Sequence, residues 1–223
     1  NNSAKYIVGQ HGNQYNTNIF NKFLPEVTTS DIFLNWGVKK KNQISFCNFI
    51  SKKEKYSNLN KKYLLIIIRS LGEKRTLYDQ ELHNKIYEDY LIEFLNNLNL
   101  NKVNNVLIKP HFSHNIDDIF IKKIKSNFPK IKILNANFKI SKIFKNCKLI
   151  IFNYDATSYL QLLSSNFPTI AFWPGNDRHV VDEMRIIYRV LKKNSLWSSN
   201  PLYISKLINK NWNDINKWWY DKK

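Results

Sequence analysis

The run Leu64-Leu65-Ile66-Ile67-Ile68 constrains the fold more than any other part of the sequence. An unbroken series of branched apolar residues has no polar side to turn toward water, so a strand of this kind is stable only where both faces of its sheet are covered. Sheets covered on both faces are built from parallel strands joined by helical crossovers. The rest of the chain carries the punctuation that such a sheet requires. Short runs rich in Ile and Val recur at 6–8, 32–36, 105–109, 130–134, 149–152 and 169–172, with longer segments of helical period between several of them. Leu82, Ile86, Tyr90, Leu91, Phe94, Leu95 and Leu98 fall on one stripe of a helix predicted over 79–98, and further helices are predicted over 117–128 and 156–165. The expected fold class is α/β, a doubly wound parallel sheet preceded by the end of a second α/β lobe.

Residues 39–62 are polar, rich in Lys and Asn, and without sustained period, which predicts a linker near 51–61. The expected organisation is then 1–50 as the end of one lobe, 62–196 as the doubly wound domain and 197–223 as a helical tail. Trp212, Trp218 and Trp219 in that tail read as a docking face rather than a ligand platform. An apolar run begins almost at once, at Tyr6, with neither an initiator Met nor a leader, so the sequence reads as the C-terminal piece of a longer chain. Its longest apolar stretch, 63–68, is far short of the roughly 20 residues of a spanning helix. Cys47 and Cys147 lack metal-ligand spacing and fit a reducing compartment. A cytoplasmic location is expected, and peripheral contact with the inner face of a membrane is compatible with it.

The formal charge of +18 would ordinarily raise nucleic acid as a partner. Here nearly all the cations are Lys, spread along the chain among abundant Asn and Ile, a pattern of AT-rich coding more than of a selected basic surface. The aromatic residues fall on core-like runs rather than alternating with Arg. Nucleic acid is therefore not the expected partner, although a positive field of any origin concentrates a phosphate-bearing ligand.

Three strand ends carry residues with chemistry. In 149–160 a buried strand closes at Phe152, Asn153-Tyr154-Asp155 follow, and a helix opens near Ala156 with Thr157 and Ser158 in its first turn. Free N–H groups and the positive end of the helix dipole would face the crevice where an open α/β sheet binds its ligand, with the two hydroxyls as added donors to a phosphate. The plain alternative is that Asp155 or Thr157 caps the helix. In Lys109-Pro110-His111, the proline ends a strand and sends His111 out of the sheet edge, with His114 nearby as a decoy. In Gln10-His11-Gly12, a histidine of suitable intrinsic pKa for base chemistry sits in a turn of small residues; an incidental histidine in a tight turn is the competing reading. No phosphate-loop or GxGxxG motif is present, which removes the main support for a P-loop ATPase or a dinucleotide dehydrogenase.

The order Gln10-His11-Gly12, Ser30-Asp31 with Leu34-Asn35-Trp36-Gly37, Lys109-Pro110-His111, and Asn153 to Ser158 with Asn166-Phe167-Pro168-Thr169-Ile170 resembles the Leptospira-type surface-carbohydrate transferases over almost the whole chain. More distantly it is similar to the CDP-glycerol glycerophosphotransferases and to sialyltransferase-like enzymes that use CMP-activated sugars. The resemblance implies a two-lobed GT-B arrangement whose Rossmann-like C-terminal domain begins near Lys62. It implies a metal-independent glycosyltransferase with no cofactor beyond a nucleotide-activated sugar donor, CMP- or CDP-linked, and a carbohydrate or lipid-linked acceptor. His11, beside Gly12, would be the base. His111, Thr157 and Ser158 would hold donor phosphate, joined by Lys109 and Arg69. Gly12, Asn153, Asp155 and Glu183 would complete the ligand site; Arg69 and Glu183 are placed there by their positions, just past the central strand and at the start of a helix predicted over 182–191, with Glu183 accepting from ribose or base. Two rivals stand beside this reading: transfer of an alditol phosphate from a CDP-linked donor, and a noncatalytic nucleotide-sugar or nucleic-acid binding module.

Overall fold

A computed structural model describes residues 4–21, 24–37, 41–46, 61–69, 84–110 and 118–221. The chain divides into two compact units, Asn1–Lys53 with Asp177–Val190, and Glu54–Asn176 with Leu191–Lys223. The linker expected near 51–61 lies, except for Lys61, outside the described residues.

In the first unit β1 (Ile7–Gly9) leads through two one-turn helices, α1 (Gln14–Thr17) and α2 (Pro25–Thr28), to β2 (Ile32–Asn35) and then β3 (Gln43–Ser45). The strands are parallel and lie in the order β1-β2-β3. Pro25 opens α2, where its fixed φ suits a first helical turn and its missing N–H costs nothing. The Asp177–Val190 segment joins this unit through an antiparallel bridge between Asn18 and Val180. The Ile19 N–H donates to His179 C=O at 2.8 Å and the Val181 N–H to Thr17 C=O at 2.8 Å.

The second unit holds β4 (Tyr63–Ile68), α3 (Asn84–Asn96), β5 (Val106–Pro110), α4 (Asp118–Asn127), β6 (Lys132–Ile133), β7 (Cys147–Phe152), α5 (Thr157–Ser164) and β8 (Thr169–Phe172). Helix α6 (Asp182–Lys193) runs from the first unit into the second, which then continues with β9 (Trp197–Ser198), α7 (Pro201–Asn211) and α8 (Ile215–Tyr220). The six strands are all parallel and lie in the order β6-β5-β4-β7-β8-β9. Numbered by appearance within the unit, that order is 3-2-1-4-5-6, the arrangement of a doubly wound, dinucleotide-type sheet. The expected fold class is the one observed.

Both faces of the sheet are covered, as the apolar run at β4 requires. Leu64, Ile66, Ile108, Leu149, Ile151 and Phe172 enter one core with Leu91, Phe94 and Leu95 of α3, Phe120 and Ile124 of α4, and Ile204 and Ile208 of α7. The alternate residues, Leu65, Ile67, Leu107, Ile150 and Phe152, are buried too, and Phe152 packs on Tyr159 of α5 with ring centroids 5.9 Å apart. Trp212 belongs to the first core, and the Trp219 indole N–H donates to Asn166 Oδ1 at 3.0 Å, so these tail tryptophans dock against the sheet unit. Helix α5 is one residue shorter at either end than its predicted span, and α4 ends one residue before its predicted end. Sequence runs predict five strands for this unit; the sixth, β9, is only two residues long.

Candidate functional site

In a 3-2-1-4-5-6 sheet the chain builds one half outward from its first strand, then returns to build the other half from its fourth. The crossovers leave in opposite directions there and open a crevice beyond the C-terminal ends of those two strands. Here the two strands are β4 and β7. Arg69 follows β4 and Asn153 follows β7. Asn153 is buried, and it clamps the two ends together: its N–H donates to Ile67 C=O at 3.2 Å and its Oδ1 accepts the Arg69 N–H at 2.8 Å.

The Arg69 guanidinium lies over the Tyr87 ring of α3, 5.0 Å from its centroid. Next to Asn153, burial pushes the Tyr154 hydroxyl well above its ordinary value; Arg69 opposes that shift and Asp155 adds to it. Arg69, Tyr154 and the buried Asp155 therefore share one electrostatic neighbourhood at the switch point. Helix α5 starts at Thr157, and its N-cap position is taken by Ala156, whose extended backbone leads into the turn and whose methyl group closes no hydrogen bond. The Tyr159 N–H donates to Ala156 C=O at 3.0 Å, and Thr157 and Ser158 are both partly exposed in the first turn.

Lys109 is placed differently from a surface cation. It is buried on β5, and its ammonium donates to Pro110 C=O at 2.8 Å and Ala136 C=O at 3.1 Å, tying the end of β5 to the loop after β6. Burial depresses its pKa. His111 and the decoy His114 lie outside the described residues. Glu183 is exposed in the first turn of α6, within the segment that belongs to the first unit.

His11 follows β1 in the first unit and is exposed. The loop that carries it is fixed by Gln10, a buried residue whose Nε2 donates to Gly12 C=O at 2.7 Å and whose Oε1 accepts the Trp36 N–H at 3.0 Å. Asn35 secures the neighbouring strand end: its Oδ1 accepts the Gly37 N–H at 3.1 Å and its Nδ2 donates to Gln43 Oε1 at 2.8 Å. Gly37 has φ +104°, in the region that favours glycine. The imidazole meets Tyr15 of α1, whose hydroxyl is 2.7 Å from Nδ1 and 3.3 Å from Nε2 and donates to Glu26 Oε1 of α2 at 2.8 Å. The Tyr15 hydroxyl is pushed up to about 12, by burial first and by Glu26 second. Glu26 is held below its ordinary value by a backbone N–H first, then by the Tyr15 hydroxyl, with His11 contributing.

The two loci offer different chemistry. The switch point brings together the start of a helix, two hydroxyls and a guanidinium, a set of donors suited to a phosphate; the first unit supplies an exposed imidazole backed by a hydroxyl and a carboxylate. Sequence reading singles out neither Tyr154 nor Tyr15 and Glu26. Tyr15 stands one helical turn after His11, a spacing visible in the sequence, but nothing there connects it to Glu26, 11 residues further on. Among the described residues, no helix is long and apolar enough to cross a membrane. The chain matches, over residues 1–223, the family described as LIC12162 family transferase. No curated protein matches it.

Proposed function

The chain belongs to the LIC12162 family of transferases, and we propose that the group it transfers is a sugar, carried from a nucleotide-activated donor, CMP- or CDP-linked, to an acceptor hydroxyl in surface polysaccharide or glycoconjugate synthesis. The observation that carries this reading is the switch point: strand ends clamped by Asn153, with Arg69 on one side and the start of α5 on the other. Open sheets of this order take their nucleotides at that place.

In this reading the donor nucleotide lies over the strand ends of the second unit. Thr157, Ser158, the first amides of α5, Arg69 and His111 take the phosphate oxygens, while Lys109 fixes the strand end that precedes His111. The bond from the anomeric carbon to the phosphate oxygen breaks with its electron pair on the phosphate. The acceptor oxygen forms the new bond to that carbon, and its proton passes to His11. Fixed donors stabilise the charge gathering on the leaving phosphate. Glu183 accepts from ribose or base, and Asp155 and Gly12 complete the surroundings of the phosphate and the base respectively. Contact with a membrane face carrying a lipid-linked acceptor is part of the same proposal. It is supported by α6, which exposes Ile186, Ile187 and Val190 beside Arg189, Lys192 and Lys193.

Variants of the two loci test the assignment through different readouts. The substitutions Thr157→Val with Ser158→Ala, and separately His111→Ala, are expected to weaken binding of CMP, CDP or UDP in calorimetric titrations. His11→Ala is expected to keep that binding while lowering turnover by about 100-fold to 10,000-fold, the usual contribution of a general base. Loss of nucleotide binding in His11→Ala, or full activity in all variants, would overturn these roles.

A further inference from the structure

The first unit holds more than a lone histidine. We propose that Tyr15 and Glu26 are positioning residues that hold His11 in its Nδ1–H tautomer. The inference rests on the reading of His11 as the base, and it follows from counting protons along the chain of contacts. The Tyr15 hydroxyl has one proton, and that proton is directed at Glu26 Oε1, 2.8 Å away. The phenolic oxygen can then only accept from the imidazole. Its nearer ring nitrogen is Nδ1, at 2.7 Å against 3.3 Å for Nε2, so Nδ1 carries the hydrogen and Nε2 keeps its lone pair. An orienting group behind the base, as found in nucleophile and base constellations, is here a tyrosine relayed to a carboxylate.

The arrangement is held rigidly enough to act in this way. Tyr15 is buried, and its ring packs on His11 edge to face at 4.8 Å and on Phe33 of β2 at 5.5 Å. Gln10 fixes the loop on the other side of His11. The Tyr15 hydroxyl resists ionisation, its pKa having risen to about 12, so it stays a neutral relay near pH 7. The titratable groups facing His11 among the described residues are Tyr15 from α1 and Glu26 from α2. When Nε2 takes a proton, the Nδ1–H, the phenol and the carboxylate remain in line.

Nitrogen-15 correlation spectra of the histidine side chains of the full chain, with the His11 signals identified by their loss in His11→Ala, read the tautomer without any substrate. The expected result is a predominantly Nδ1–H neutral form in the native protein and a shift toward the Nε2–H form in Tyr15→Phe, which keeps the ring on Phe33. Glu26→Gln retains an acceptor for the phenol and is expected to keep the tautomer, whereas Glu26→Ala removes that acceptor and is expected to shift His11 toward the Nε2–H form. A native Nε2–H tautomer, or a Tyr15→Phe protein of unchanged tautomer, would overturn the relay, as would an unchanged tautomer in Glu26→Ala. Should the spectra behave as expected while His11→Ala turns over normally, the relay stands and the assignment of His11 as base is what fails.

Discussion

Asn153 joins two strand ends that lie 84 residues apart in sequence, which is why the sequence shows it only as a polar residue after a strand. Its role as a clamp becomes legible once β4 and β7 are known to be neighbours. Replacing it by Ala leaves the Arg69 N–H without its acceptor, an expected loss of about 1–3 kcal/mol in denaturant unfolding, whereas Asp keeps the acceptor and should lose less. Equal losses for the two substitutions would mean that the clamp is not what stabilises this edge. Glu26 adds a pH dependence of defined sign. Its carboxyl is held below its unfolded value near 4.5, so the stability it contributes is fully present above that value and is lost as the pH falls through the lower folded one. Melting temperatures of the native protein and Glu26→Gln should therefore differ at neutral pH and converge in acid below 4.5. A difference that persists in acid would show that the carboxylate charge is not responsible.

Elements are legible in proportion to their length and apolar content. The strand at Tyr63–Ile68 and the helices over 118–127 and 157–164 announce themselves through period and burial; β3, Gln43-Ile44-Ser45, and the two-residue β9 are too short and too polar to have a period at all. Helix ends show a second effect of composition. With 5 glycines in 223 residues, the chain places other residues at left-handed positions. Helix α5 ends with Asn166 at φ +54°, its N–H on Leu163 C=O at 2.9 Å and the Phe167 N–H on Leu162 C=O at 2.9 Å, the paired bonds of a Schellman cap. The same side chain accepts from Trp219 of α8. Asn166→Gly relieves the backbone but loses the indole bond, while Asn166→Ala also meets the left-handed penalty of roughly 1–2 kcal/mol. Chemical denaturation should rank native above Gly and Gly above Ala, and any other order would remove one of the two roles. For α6, Ile186 is 67% and Val190 53% exposed on a helix edged with basic residues. Sedimentation with vesicles containing anionic lipid should pull down the native protein and leave Ile186→Ser with Val190→Ser in solution; equal sedimentation would remove α6 as the contact.

At the scale of the molecule, the question is whether a charge of +18 reflects a polyanion partner or a background on which a mononucleotide site is built. The sheet order favours the second, because sheets of 3-2-1-4-5-6 order take nucleotides at their switch point, while the cations are dispersed along the sequence instead of gathered on one motif. The two cases respond differently to salt. Dispersed lysines hold RNA by releasing counterions, so several phosphate contacts lose orders of magnitude in affinity between about 50 and 200 mM salt. A donor site that combines helix amides, hydroxyls and a guanidinium on one or two phosphates releases few counterions and loses much less. A ligand at 100 times its dissociation constant stabilises the folded state by about 2.7 kcal/mol. For a domain of 150–250 residues each kcal/mol moves the melting temperature by roughly 2–4 °C, so saturating CMP, CDP or UDP should raise it by roughly 5–11 °C. That rise should survive in 200 mM salt, where unstructured RNA no longer protects. Protection by RNA that outlasts salt, with no response to any of the three nucleotides, would replace the nucleotide-sugar reading with that of a nucleic-acid binding module.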